Sequence, residues 1–305
     1  MPLIWQLSAA HFGTKTLLHG VLAQDMPPLF STESSSIKNL FNLLKSYFIT
    51  LFSHAEIIIE VNGRKIKSKT DKHGEFLVEL DFLVSESIQI YTKDGNHRIK
   101  AVQEYPVIFP ELAGEYEVIS DIDDTIMVSY TADFFKRITT VALKSPFKRR
   151  TIDYTQQLFK ALEKQKSRIF YISKSESNLF GMINTFLKYH QLPKGDIFLT
   201  PYLKFTQLFS QKKGETYKED RISFIIENSS KKIILVGDDS QKDMEAYATM
   251  FTKFPERIFK IFIRQTKLSR SKSQNQKWQA LKATGANIVY FNKNDCFDKN
   301  SLLQN

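Results

Sequence analysis

The sequence predicts two domains: a small antiparallel β-sandwich over residues 1–114 and, over residues 115–305, an α/β domain built on a doubly wound parallel sheet. Short strands separated by hairpin turns fill the first part. In the second part strands alternate with helices, which is typical of parallel sheets. Pro106, Pro110 and Gly114 mark the change of pattern as a linker. A length of 305 residues also suits about two domains.

The strands of the first domain are predicted from its turns. Asn62-Gly63 stands between the apolar segments 55–61 and 64–70, and this dipeptide is the strongest hairpin signal that a short sequence offers. Further turns at residues 71–74 and 93–96 separate the remaining predicted strands, which cover residues 75–82, 87–92 and 97–107. Antiparallel strands joined by tight turns favour a sandwich.

One helix interrupts these strands, between residues 37 and 52. Apolar side chains recur there at helical spacing, at Ile37, Leu40, Phe41, Leu44, Tyr47, Phe48 and Leu51. Lys38, Asn42 and Lys45 break the run, which is also shorter than the ~20 apolar residues that a membrane-spanning helix needs. We expect a packed amphipathic helix, with a helix lying on a membrane surface as the alternative.

The second domain is predicted as a repeated strand-then-helix pattern. Its strands are expected at residues 116–121, 167–173, 231–237, 258–264 and 287–291. Its helices are expected at residues 154–164, 177–190, 217–228, 241–254 and 274–284. Parallel strands with crossover helices bring the carboxyl ends of all strands to one edge, where open α/β sheets bind their ligands.

Composition narrows the function classes. Apolar residues make up 42% and charged residues 25% of the chain, as in ordinary globular proteins. The single Cys296 excludes a disulfide framework and a cysteine-rich zinc site. The first residues do not resemble a secretory signal, so a cytoplasmic protein is expected. A net charge of +10 favours anionic partners but does not choose among nucleic acid, an anionic lipid and a phosphorylated substrate. On the motifs described below, a phosphorylated substrate or an anionic lipid is expected, and no nucleic acid.

An acidic run follows the first strand of the second domain. Asp121 and Asp123 lie two residues apart, so on an extended chain their carboxylates share one face. A helix-loop-helix calcium loop counted from Asp121 needs Gly at its sixth position and Glu at its twelfth, but Ile126 and Ala132 stand there. The remaining readings are a solvated acidic turn and a metal or catalytic site.

Polar residues elsewhere in the domain favour the site. Ser173 ends the second strand, Ser175 lies two residues on, and Lys218 opens the helix before the third strand. Three acids follow the third strand, at Asp238, Asp239 and Asp243. Carboxylates this close together need a divalent cation, and an all-oxygen set without His or Cys suits Mg²⁺. The expected metal ligands are Asp121, Asp123, Asp238, Asp239 and Asp243, with the choice between Asp239 and Asp243 left open.

With a metal bound, each residue type has a chemical role. Asp121 can attack phosphorus as a nucleophile, and Asp123 can protonate the leaving oxygen and later deprotonate water. Ser173 and Lys218 can hold the oxygens of the transferring phosphoryl group. Ser175 competes with Ser173 for the hydroxyl role, and Lys212 and Lys213 compete with Lys218.

These motifs, Asp-x-Asp-x-Thr, strand-Ser, Lys and Gly-Asp-Asp-x-x-x-Asp, resemble in order and spacing the four motifs of the haloacid dehalogenase superfamily. Segments 120–126, 170–175, 235–247, 254–257 and 261–264 more specifically resemble the catalytic domain of the actin-patch-associated phosphatidate phosphatase family. Segments 19–22 and 70–76 are similar to landmarks of the β-rich domain that precedes it in that family. The resemblance implies Mg²⁺-dependent hydrolysis of phosphatidate to diacylglycerol and phosphate, with possible peripheral contact with membranes.

The sequence departs from that family's pattern in two places. Asp239 and Ser240 stand where Ser and Gly are expected, which adds a charge beside the predicted metal site. Lys174 and Glu176 stand where Asn and Pro are expected in the second motif. A phosphatase of a soluble phosphomonoester, and a membrane- or protein-interaction module without catalysis, therefore stay open as alternatives.

Between the first motif and the next helix, residues 129–153 are expected to form a flap. Six basic residues lie on it, and one or two of them could contact an anionic headgroup: Lys136, Arg137, Lys144, Lys148, Arg149 and Arg150.

Overall fold

The structure is a computed structural model that describes residues 1–30, 35–127, 151–202, 216–240, 242–267, 269–299 and 302. The predicted flap lies outside the described residues up to position 150, and so do Lys212 and Lys213. The chain divides into two compact units. The first comprises Met1–Glu111, Glu176–Thr185 and Leu199–Lys212, and the second comprises Leu112–Ser175, Phe186–Phe198 and Lys213–Asn305.

The first unit contains an antiparallel-rich, barrel-like sheet of eight strands. They are β1 Leu3–Phe12, β2 Lys15–Ala23, β3 Glu56–Val61, β4 Arg64–Lys69, β5 Glu75–Leu80, β6 Gln89–Thr92, β7 Arg98–Ala101 and β8 Ile108–Phe109. Their order is β4-β3-β6-β7-β1-β2-β5, with β8 beside β1. The predicted hairpin is confirmed, because β3 and β4 pair antiparallel around Asn62 and Gly63, both of which have positive φ.

One apolar core lies inside this sheet. Side chains from β1 and β2 pack with side chains from β3, β5, β6 and β7 in a single cluster that includes Leu7, Leu18, Ile59, Phe76 and Ile90. The strands show the period-two burial that one-sided packing requires, as in β3, where alternate residues are buried. β1 and β2 were not individually predicted from the sequence.

Helix α1, Ser36–Ser46, is the predicted helix of this unit, but it ends six residues earlier than the apolar spacing predicted. Ser35 caps its start by accepting a hydrogen bond from the Lys38 amide, and Tyr47 caps its end. Ile49, beyond that end, is buried. The helix stops because packing of the following segment outweighs the continuing helical spacing.

The second unit contains a six-stranded sheet of order β11-β10-β9-β12-β13-β14. Its strands are β9 Tyr116–Ser120, β10 Arg168–Glu176, β11 Asp196–Thr200, β12 Lys232–Asp238, β13 Ile258–Arg264 and β14 Ile288–Phe291. The pairs from β10 through β9, β12 and β13 to β14 are parallel, as predicted. The helices in this part of the chain are α2 Asp153–Lys164, α3 Phe180–Tyr189, α4 Tyr217–Asn228, α5 Asp243–Lys253 and α6 Lys272–Ala283, of which α3 begins in the first unit.

Chain order reverses around β9, the first strand of this sheet. Successive strands β10 and β11 extend from β9 on one side, whereas β12, β13 and β14 extend on the other. The carboxyl end of β9 is therefore a topological switch point, where a crevice forms in open α/β sheets. All five residues of β9 are buried. Among the described residues, no helix is long and apolar enough to cross a membrane.

A carboxylate cluster at the edge of the parallel sheet

Three carboxylates meet at this switch point. Asp121 directly follows β9, Asp238 ends β12, and Asp243 begins α5. One oxygen from each lies within 4.8 Å of the others, and all three side chains are buried. β9 and β12 are neighbouring parallel strands, and the Asp121 amide donates a 2.9 Å hydrogen bond to the Val236 carbonyl, so the register of the sheet places these acids together.

A glycine makes room for the cluster. A Cβ atom added to Gly237 would lie 2.7 Å from Oδ2 of Asp243 and 2.7 Å from the ring of Tyr247. The Tyr247 hydroxyl donates to the Val236 carbonyl at 2.9 Å and keeps α5 against β12. A side chain at position 237 would therefore push Asp243 away from the other carboxylates.

Lys218 neutralises part of this charge. Its Nζ donates to Oδ1 of Asp121 at 2.7 Å and to Oδ1 of Asp243 at 2.5 Å, and the lysine side chain is only 3% exposed. Lys218 is the second residue of α4, so the start of that helix delivers the ammonium to the acids. Three carboxylates and one ammonium leave the cluster with a formal charge of −2 when all are ionised.

The pKa values follow from burial and from these neighbours. Burial raises the pKa of Asp121 to about 8, although attraction to the Lys218 ammonium acts in the opposite direction. Burial, followed by repulsion from Asp243 and Asp121, raises the pKa of Asp238 well above its ordinary value. Burial lowers the pKa of Lys218, but the two carboxylates outweigh burial and the net shift is upward. Ionising all three carboxylates therefore requires more positive charge than Lys218 alone supplies.

Asp123 has a different environment from Asp121. Its Oδ2 accepts hydrogen bonds from the Ser173 hydroxyl at 3.0 Å and the Ser175 hydroxyl at 2.5 Å. The Ser173 hydroxyl oxygen also accepts a 2.9 Å hydrogen bond from the Ser175 amide. Both serines lie near the end of β10, so the structure brings both predicted hydroxyls to Asp123. The Thr125 hydroxyl donates to Oδ2 of Asp121 at 3.2 Å.

Asp239 does not join the cluster, although the sequence makes it a candidate ligand. Its side chain is turned to the opposite side, where Oδ1 accepts from the Thr266 amide at 2.9 Å and from the Thr266 hydroxyl at 2.6 Å. Its Oδ2 accepts from the Tyr290 hydroxyl at 2.5 Å. The reason is extended-chain alternation, since residues next to each other point to opposite sides.

Two cationic side chains near the site, Arg264 and Lys174, have no role that the sequence alone predicts. Arg264 ends β13 and donates through a guanidinium nitrogen to the backbone carbonyl of Asp124, which has a positive φ of 59°. In the sequence, Arg264 can be recognised as a basic residue that ends an apolar strand. Lys174 lies on β10 between the two serines, and its pKa is lowered by burial and by the nearby Lys218 ammonium.

The donor atoms present fit a hard divalent cation. The cluster contains only carboxylate oxygens, and Oδ2 of Asp238 is buried without a hydrogen-bond partner in the described structure. A buried carboxylate oxygen without a donor is costly, and a metal ion removes that cost. Oxygen-only ligation is the preference of Mg²⁺ among biological divalent metals.

Comparisons with known proteins place this site in a family. Residues 116–265 match the model of the catalytic domain of phosphatidate phosphatase APP1. Phosphatidate phosphatase APP1 of Saccharomyces cerevisiae is 29% identical over 204 residues, which cover 64% of this chain and 34% of that protein. An uncharacterised protein of Schizosaccharomyces pombe is 23% identical over 236 residues, covering 75% of this chain and 38% of that protein.

The chain thus spans well under half the length of these two curated relatives. A solved class C acid phosphatase from Bacillus anthracis is similar over 54% of this chain and 78% of its own, with a TM-score of 0.32 and 15% identity. Asp121, Lys218, Asp238 and Asp243 all lie inside the matched segment. Through residues 116–265, the chain belongs to the family of the phosphatidate phosphatase APP1 catalytic domain.

Proposed function

We propose that this chain is a Mg²⁺-dependent phosphatidate phosphatase that works through an aspartyl-phosphate on Asp121. The proposal includes a haloacid dehalogenase-like catalytic domain after a small sandwich-like domain. The observation that supports it most strongly is the division between the two acids of the first motif. Asp121 lies among carboxylates and a lysine, whereas Asp123 is held by two serine hydroxyls. Two carboxylates with such different surroundings can take different roles.

In the first step, a carboxylate oxygen of Asp121 attacks the phosphorus atom and the bond from phosphorus to the glycerol oxygen breaks. Asp123 gives its proton to that leaving oxygen, which becomes the hydroxyl of diacylglycerol. In the second step Asp123 takes a proton from water, the water oxygen bonds to phosphorus, and the bond from phosphorus to Asp121 breaks. Phosphate leaves and both aspartates return to their starting states.

Other residues position the reactants. Lys218 balances negative charge on Asp121 and on the phosphoryl oxygens. The Ser173 and Ser175 hydroxyls donate to Asp123 and so orient it, and either hydroxyl can turn to donate to a phosphoryl oxygen when substrate binds. A divalent cation held by Asp121, Asp238 and Asp243 would supply the remaining positive charge. This ligand set is narrower than the five carboxylates expected from the sequence, since Asp239 accepts from Thr266 and Tyr290 and Asp123 accepts from the two serine hydroxyls.

The test is phosphate release from phosphatidate vesicles by the wild type and by Asp121→Asn, with Mg²⁺ and with a chelator. We expect release by the wild type with Mg²⁺ only, and none by Asp121→Asn. Asp81→Asn is the matched control, because Asp81 is exposed and far along the chain from the motifs. Activity of Asp121→Asn close to that of this control would refute the covalent mechanism.

Asp123→Asn tests the assignment of the two aspartates. With p-nitrophenyl phosphate, whose leaving group departs without a proton, this variant should still form the phospho-enzyme. It lacks the group that deprotonates water, so phosphate should remain on Asp121 long enough for mass spectrometry to detect it. An adduct on any other residue would contradict the assignment. A parallel panel of soluble phosphomonoesters decides the substrate class, since turnover restricted to them would exclude the lipid substrate.

A further inference from the structure

Helix α1 presents an apolar stripe to solvent. Ile37 is 80% exposed, Phe41 68% and Phe48 69%, and Leu44 between them is half-buried. Ile37, Phe41 and Leu44 follow each other by four and three residues, so they lie on one side of the helix, and Phe48 follows in the turn just after its end. The packed side instead includes Asn39 and Ser46. We call Ile37, Phe41, Leu44 and Phe48 the α1 stripe.

The α1 stripe has a larger apolar area than the single exposed apolar residues that are common on protein surfaces. Leu29, 62% exposed, lies beside α1, because its carbonyl accepts a 2.7 Å hydrogen bond from the Asn42 side chain. Aromatic side chains offer about 150–250 Å² each, so two Phe with Ile and Leu form a patch of several hundred Å². Patches of that size on a monomer mark an interaction surface.

The charges around the stripe indicate which partner it fits. Lys38 and Lys45 are exposed, and each lies next to a residue of the stripe in sequence. No acidic residue occurs between positions 34 and 55. A surface of apolar side chains with lysines along its edge suits an anionic phospholipid layer, which receives the apolar groups and attracts the ammonium groups. A second copy of the chain, paired symmetrically, would bring the same lysines against each other.

We infer that the α1 stripe docks in the surface of an anionic phospholipid membrane, with α1 lying in the plane of the interface. The purpose of this docking rests on the proposed function, since phosphatidate is a membrane lipid. α1 also packs against the 3₁₀ turn Ser177–Leu179 of the same unit. That turn directly follows β10, the strand that carries Ser173 and Ser175.

The test is flotation of the full chain with phosphatidylcholine vesicles that contain or lack phosphatidylserine, in chelator so that no turnover occurs. The wild type should float with the anionic vesicles. Ile37→Ser/Phe41→Ser should bind them about tenfold or more weakly, as expected from loss of buried apolar groups. Lys38→Glu/Lys45→Glu should lose the preference for phosphatidylserine.

Leu77→Ser/Leu83→Ser is the matched control, because these leucines are also exposed, at 43% and 42%, but lie outside the stripe. It should bind vesicles like the wild type. Equal binding by Ile37→Ser/Phe41→Ser and this control, at equal melting temperatures, would overturn the inference. A concentration-dependent dimer lost in Ile37→Ser/Phe41→Ser, without vesicle binding by the wild type, would also overturn it by assigning the stripe to a second copy.

Turnover separates this inference from the proposed function. Ile37→Ser/Phe41→Ser should hydrolyse p-nitrophenyl phosphate at the wild-type rate and phosphatidate in anionic vesicles more slowly. Vesicle binding by the predicted pattern without turnover of any ester would support the docking surface and refute the catalytic proposal. Turnover of phosphatidate vesicles that does not depend on the α1 stripe would support the catalytic proposal and refute the docking surface.

Discussion

Replacing Lys218 with Met tests the charge balance of the cluster most directly. The lysine is buried, and its ammonium is shared between Asp121 and Asp243 at 2.7 and 2.5 Å. Methionine has a similar length and suits a buried position, so the substitution removes the charge with little change of volume. It leaves two carboxylates without their cation, and Asp238 close to both.

The magnitude follows from the cost of an unpaired buried charge. Removing one partner of a buried ion pair typically costs about 3–5 kcal/mol. In a unit of this size each kcal/mol lowers the melting temperature by roughly 2–4 °C, so a fall of about 6–20 °C is expected in metal-free protein. The destabilisation by Lys218→Met should grow with pH, because Asp121 must ionise beside two other acids. For each proton that the folded state keeps and the unfolded state has lost, the free energy of unfolding falls by at most about 1.4 kcal/mol per pH unit.

The assay is chemical denaturation in chelator at several pH values, repeated with excess Mg²⁺. A metal ion replaces part of the lost positive charge, so Mg²⁺ should stabilise Lys218→Met more than the wild type if it binds the cluster. The matched control is Lys253→Met, which removes an exposed pair with Glu227 at 3.0 Å and should cost at most about 1 kcal/mol. If Lys218→Met in chelator loses no more stability than this control, the argument from buried charge is wrong.

Three further predictions concern neighbouring groups. In metal-free wild type the folded-state pKa of Asp121 is raised from 3.8 to about 8, so its contribution to stability is complete at low pH and is lost as pH rises through this window. Stabilisation by Mg²⁺, measured by thermal shift, should therefore increase with pH. Asp238→Asn should abolish Mg²⁺ binding in calorimetry, whereas Asp239→Asn should retain it and lose about 1–3 kcal/mol of unfolding free energy. Gly237→Ala should cost about 1–3 kcal/mol and weaken Mg²⁺ binding, because its methyl group meets Asp243; unchanged affinity would contradict this account.

Much of the second unit could be predicted from sequence, because its central strands are buried on both faces and read as continuous apolar segments. The helix at Tyr217–Asn228 and the strand at Ile258–Arg264 have the predicted bounds. The strand Asp196–Thr200 was missed, because it is short and begins with a charged residue. The predicted helix at 177–190 begins instead with a 3₁₀ turn, and the regular α-helix starts at Phe180.

The position of the site could also be predicted, since parallel strands bring their carboxyl ends together whatever the loops do. Which carboxylates face one another could not. Asp238 and Asp239 are identical in type and adjacent in sequence, so no periodicity separates them. The direction of Asp239 is set by Thr266 and Tyr290, which lie 27 and 51 residues further along the chain. Only the folded sheet shows that these donors converge on it.

This contact gives a physical meaning to the departure from the family's pattern at Asp239. In sequence the substitution adds a negative charge beside a metal site, and such a charge would change metal affinity. In the structure the charge faces donors from Thr266 and Tyr290, while the Asp239 carbonyl accepts from the Gln274 side chain at 2.9 Å. Asp239 therefore ties the end of β12 to the elements that follow it. Asp239→Ser would restore the expected residue, but would leave the Tyr290 hydroxyl without its carboxylate acceptor, so it should destabilise the fold more than it changes the metal site.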